Sequence, residues 1–271
     1  MIRAAFVVLL VATPSLLLPD ANPDGRPMVV AVALCLGAIT FVEYTARFPS
    51  LVEFRFAPPF NRLRFLTLFA NVVLLSLLVR GLSVPSPVTE LVTGVGILIG
   101  QVIDFPFSPV RLAPLMLPAD APYAFVELLR AAVGVSYLSS LMTVGVFAVL
   151  MRLYNWPSRT GAFNVWINMP NFDPTAGGDV VDHLIRDSRI NVMLGLALPF
   201  VVPLFAMVAI GLFKPDALIN HHTMIWTVAI WAFLPAGLIM RGIALARIAD
   251  MLQRKRNRSD ESGDAEYFMP V

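Results

Sequence analysis

Residues 123–150 read YAFVELLRAAVGVSYLSSLMTVGVFAVL, and this stretch decides the fold. Its only charged residues are Glu127 and Arg130, and it exceeds the ~20 residues that a helix needs to cross ~30 Å of hydrocarbon. At helical spacing Glu127, Arg130, Gly134 and Tyr137 share one face, and Ser136, Ser140 and Thr143 share the opposite one. A helix with small or polar residues on two opposite faces is packed between other helices. This span is therefore placed at the centre of a membrane bundle.

Working outward, comparable apolar runs occupy about 2–18, 28–46, 63–79, 190–213 and 223–248, which makes six spans. A seventh run, Leu91–Ile103, reaches only about 20 Å at 1.5 Å per residue and is too short to cross. The composition agrees. Of 271 residues, 58% are hydrophobic and 14% charged, with a mean hydropathy of +0.76; soluble domains carry about 45–50% apolar and 25% charged residues. An ordinary soluble domain, a disordered chain and a nucleic-acid binder are excluded. A single cysteine excludes a disulfide framework and any multi-cysteine metal site. Of the 20 cations, 18 are arginine, a skew that fits a GC-rich bacterial genome.

Charge decides orientation. With Leu91–Ile103 not crossing, 15 cations fall on the side of the N-terminus and four (Arg26, Arg80, Arg111, Lys214) on the other, with Arg130 inside a span. A crossing seventh run would split the basic loops between the two sides. The sequence thus predicts both termini in the cytoplasm and a bacterial inner-membrane location. The N-terminal run is read as a retained helix and not a cleaved signal, because no small-x-small site precedes the polar run Asp20–Gly25.

The full expectation is an all-α polytopic bundle over 1–252, with six transmembrane helices, one short outer interfacial or re-entrant helix at 91–103, and one cytoplasmic amphipathic helix at Val180–Arg189. A basic-then-acidic tail, 253–271, follows and is expected to be disordered after its basic stop. In the outer connection, Phe105, Phe107 and seven prolines suit the headgroup region, while Gly96-x-x-x-Gly100 permits close helix approach. The cytoplasmic loop Arg47–Arg64 alternates aromatics with arginines, a composition for anionic lipid headgroups or for another subunit.

Ionisable groups within spans are the default functional candidates because each is costly there. They are Glu127 and Arg130, with Tyr137 on their face, and Glu43, for which Arg47 is the i,i+4 partner. Pro199, Pro203 and Pro235 interrupt the last two spans and are candidate kinks; a proline leaves the carbonyl four residues earlier without its donor. Asp179 and His183 are spaced to share a metal but lack a third ligand. No catalytic, cofactor or metal motif stands out, and no motif carries a family resemblance. The functional expectation is a non-catalytic accessory, assembly or scaffold subunit whose partners are other membrane protein subunits. The alternative is a small-molecule or ion transporter or channel using Glu127/Arg130 and a re-entrant 91–103 segment.

Overall fold

The computed structural model describes residues 1–19, 25–118, 120–154, 156–157, 168–169, 179–213 and 220–267. Every regular element among them is helical. The elements are α1 (Ile2–Leu17), α2 (Arg26–Thr45), α3 (Phe60–Ser83), α4 (Pro87–Ile103), α5 (Pro109–Leu112) with a 3-10 turn at Ala113–Met116, α6 (Tyr123–Leu153), α7 (Val180–Phe213) and α8 (His221–Tyr267). Five of them, α2, α3, α6, α7 and α8, are long and apolar enough to cross a membrane; α1 and α4 are shorter. The chain is a multi-pass membrane protein.

Side-chain pairs give the helix directions. Arg3 stacks over Tyr44 and Gly37 meets Val8, so α1 and α2 are antiparallel. Thr67 bonds to Thr143 and Ser139 to Asn71, so α3 and α6 are antiparallel too. Phe125 lies against His221 and Tyr137 against Trp231, so α6 and α8 run parallel. The end of α3 and the start of α6 therefore lie at one end of the bundle. The α4 segment between them leaves and returns at that end. We call this the opposite face, and the end holding Arg3, Arg55 and Arg241 the basic face.

Local sequence explains where α4 begins. Ser86 and Thr89 form a reciprocal capping box, and Pro87 occupies a position where its missing N–H costs nothing. The helix buries its small face, Thr89, Gly96 and Gly100, and exposes Leu91, Leu98 and Val102. Gly96 faces Ala131 and Val135, and Gly100 lies on the backbone of Arg130 and Gly134. The chain then turns inward. Phe105 and Phe107 are exposed, but Ser108, Val110, Ala113 and Met116 are buried, so residues 108–116 plug the opposite end of the bundle instead of lying along its surface.

Two apolar cores fill the bundle, one towards each end. The core near the opposite face joins Leu75 and Leu78 of α3, Leu129 and Val133 of α6, and Ile225 and Val228 of α8 to the plug. The core at the basic face joins Phe60 of α3, Phe147 of α6, Leu184 of α7 and Leu245 of α8 to Phe54, Trp156 and Met169 from the connecting segments.

Two expectations need correction. The amphipathic segment Val180–Arg189 is not a separate helix; it is the first third of α7, which continues without a break to Phe213. Residues 186–189 contain neither proline nor glycine to break the helix, and Ser188 is held inside by donating to the Gly242 carbonyl at 2.8 Å. Val181 and Leu184 are buried, as their spacing anticipates. The helix of the last span also does not end at the basic stop. It runs on to Tyr267, supported by Asp250 pairing with Arg247 and Arg254.

Candidate functional site

The four intramembrane candidates do not form one site. Glu127 and Arg130 pair with each other at 3.1 Å and are 36% and 34% exposed, so they sit at the bundle surface. Tyr137 turns away from them towards α8. Its hydroxyl donates to the Trp231 carbonyl at 3.2 Å, and its ring meets the Trp231 ring edge-on. Glu43 lies near the basic face, far along another helix. Its expected partner Arg47 does not reach it. The carboxylate accepts from the backbone N–H groups of Ser50, Leu51 and Val52 and from the Ser50 hydroxyl. The chain turns immediately after α2, and this places a row of free donors over the carboxylate, a better match than one flexible arginine. Pro199, Pro203 and Pro235 all lie inside continuous helices.

The basic face carries a braced platform that the sequence alone does not reveal. Arg55 reaches back to the carbonyls of Glu43 and Ala46, both at 2.7 Å, and so caps the end of α2. Glu53 takes both bonds of the Arg241 guanidinium, at 2.6 and 2.8 Å. Phe54 and Phe56 donate backbone N–H groups to Asn168, and Trp156 donates its indole N–H to the Ala57 carbonyl. Phe54 has φ +53, a region that bulky residues rarely occupy, and its side chain is fully buried against Phe60 and Trp156. Strain of this kind persists only where the surroundings over-determine the backbone.

The alternating aromatics of Arg47–Arg64 thus split into two sets. Phe54 and Phe60 are buried. Phe48, Leu51 and Phe56 remain 66%, 68% and 56% exposed. Arg47 stacks over Phe48, and Arg55 over Phe56.

Asp179 and Arg256 complete this face with an ion pair at 2.8 Å. The Val181 N–H and then Arg256 hold the Asp179 carboxyl below the usual carboxylate range. That engagement takes Asp179 away from the metal pairing with His183, and no group of three or more metal-ligating side chains occurs among the described residues. The expectations that fall on Lys214 and on the tail beyond Tyr267 lie outside the described residues.

Between the α1–α2 hairpin and the α7–α8 pair lies a cavity of about 1160 Å³. Arg26, Asn220 and His222 stand at its mouth on the opposite face, and Leu36, Leu234 and Pro235 line its deep end. A third feature is a polar seam between α3 and α6, where Thr67 meets Thr143 and Asn71 accepts from Ser139. The Asn71 amide nitrogen and the hydroxyls of Ser136 and Ser140 are buried there without partners.

No protein-family model, curated protein or solved structure matches this chain.

Sequence reasoning could have found one of these bonds. Pro235 removes the donor for the Trp231 carbonyl by the same rule that applies to Pro199 and Pro203, so a hydroxyl donor nearby was predictable. Which helix supplies it was not.

Proposed function

We propose that the protein is a non-catalytic accessory or scaffold subunit that associates with another membrane protein through its basic face. The observation that carries this reading is the patch of Phe48, Leu51 and Phe56, with Arg47 and Arg55 stacked on its rings. Aromatic residues and arginine dominate the binding energy of protein interfaces. The loop that presents them is held by Glu43, Glu53, Arg55 and Asn168. Its ordering cost is met by folding, so little of the affinity for a partner is lost to it.

The same reading puts the basic face in the cytoplasm of a bacterial cell, with six spans, α1 included, and both termini inside. The supporting observation is the cation asymmetry, 15 against four, together with the return of α4 to the end from which it starts. The transport alternative draws less support. Glu127 and Arg130 share one bond at 3.1 Å, which leaves the Arg130 Nε buried without a partner, and neither residue lines the large cavity.

The test is extraction from the native membrane in mild detergent, followed by native gel electrophoresis and mass spectrometry. A stoichiometric membrane partner is expected with the wild type and is expected to be lost from the triple variant Phe48→Ser, Leu51→Ser, Phe56→Ser, which should itself stay folded. A wild-type chain that migrates alone overturns the proposal.

A further inference from the structure

The helix stripes of α2 and α8 that line the cavity run on past its deep end towards the basic face. On α2 the groove is lined by Val29, Val32 and Leu36; the next positions on that stripe are Thr40 and Tyr44. On α8 it is lined by Ile230 and Leu234; that stripe continues to Gly237 and Arg241. Both stripes lead to one side chain from a third helix, Arg64 of α3. Its guanidinium carbon lies 5.2 Å from the centre of the Phe233 ring and 5.3 Å from that of Phe60. A Cβ at Gly237 would come within 3.3 Å of an Arg64 nitrogen, so the glycine leaves the room that the guanidinium fills.

Arg64 has ring contacts but no ion-pair partner within the described residues. Its Nε is buried without a hydrogen-bond partner. Glu53, Arg241 and Tyr44 are the groups in electrostatic reach, and Glu53 spends both oxygens on Arg241. Two arginines against one carboxylate leave one positive charge in excess at the edge of the apolar zone, where an unpaired charge is costly. A guanidinium in this position fits a phosphate, which it can hold through two parallel bonds.

We propose that the groove holds an anionic phospholipid from the leaflet at the basic face, its phosphate on Arg64 and an acyl chain along the stripe into the cavity. Chemistry favours a lipid over a partner's apolar helix, because a phosphate accepts the bonds of the Arg64 guanidinium and an apolar helix surface does not. Apolar stripes that lead to a guanidinium without an ion-pair partner match a chain joined to an anionic head.

The experiment uses full-length protein in nanodiscs of phosphatidylglycerol, of phosphatidylcholine, or of an equal mixture, with native mass spectrometry of the lipid retained after release into detergent. Wild type is expected to keep one phosphatidylglycerol and to prefer it by about tenfold, the scale of a charge-assisted bond. Arg64→Met should abolish the preference. Leu234→Trp, at a half-exposed position, should lower retention of both lipids by filling the groove. If Arg64→Met does not fold, Arg64→Lys serves, with the preference reduced but present. Inorganic phosphate at millimolar concentration should not displace the lipid. The proposal is overturned if wild type retains no lipid, if it retains both equally, if phosphate alone displaces the lipid, or if a peptide chain occupies the groove instead.

Discussion

The hydroxyl of Tyr137 donates to the carbonyl of Trp231, 94 residues away in sequence, at 3.2 Å. That carbonyl is the one Pro235 leaves without a donor in its own helix. A tyrosine on α6 thus repairs a gap made by a proline on α8, and the bond closes within the apolar zone, where an unpaired carbonyl is costly.

Tyr137→Phe should therefore destabilise the protein by about 1 kcal/mol. In a Pro235→Ala background the same change should cost close to nothing, because an alanine at that position supplies the missing N–H. A double-mutant cycle followed by unfolding in detergent measures the coupling. Equal losses in both backgrounds would show that the tyrosine does not answer the proline.

Gly134 and Gly100 meet backbone to backbone. A Cβ at Gly134 would stand 3.0 Å from both the Cα and the nitrogen of Gly100, and backbone cannot swing aside. Gly134→Ala should cost about 1–3 kcal/mol through overpacking. Gly94, in α4 itself, has nothing within 4 Å of such a Cβ, so Gly94→Ala should be neutral or stabilising by up to about 1 kcal/mol. Thermal unfolding of the two variants in one detergent makes the comparison; similar effects would contradict the crossing point.

Glu53 is only 13% exposed and Arg241 27%, and their two bonds tie the loop after α2 to the last helix. Glu53→Gln should cost about 1–3 kcal/mol, mostly as the penalty of an unpaired Arg241. The loss should show locally as faster tryptic cleavage after Arg47 and Arg55 in membranes with the basic face accessible. Unchanged cleavage would mean that Glu43 and Asn168 hold the loop without it.

Asp179 gives a pH signature. Its carboxyl is held below the ordinary carboxylate value by the Val181 N–H and by Arg256. A depressed value in the folded state means a contribution that is complete above the unfolded value of about 3.9 and lost as pH falls through the lower, folded one. Protection of the amides at the start of α7, taken relative to the intrinsic exchange rate at each pH, should hold down to about pH 4 and fall below it. Asp179→Asn should remove that step while leaving exchange in α6 unchanged.

The bundle was legible in the sequence because hydrocarbon imposes one simple demand, a long apolar run, and residues 123–150 meet it without ambiguity. The central place of α6 was legible for a related reason: small or polar residues on two faces require two neighbours, and α4 at Gly134 and α3 at Thr143 supply them. Glu43 shows the limit. Its i,i+4 arginine was visible, but a carboxylate at a helix end chooses between a side chain and a row of backbone donors, and only the path of the following turn decides. Arg64 shows another. Nothing in the sequence separates it from Arg62, two residues earlier; it takes a glycine and a phenylalanine on α8 to give it a place.

The helix α8 is made after every helix it holds, and both cores, the Glu53 bridge, the Tyr137 bond and the seat of Arg64 all depend on it. Until residues 221–250 leave the ribosome, α6 and its neighbours lack the helix that completes both cores. Assembly in the membrane must therefore wait for α8. A chain cut before His221 would leave Glu53 without Arg241 and the α8-facing sides of both cores uncovered. The order of synthesis is thereby turned into a checkpoint on assembly.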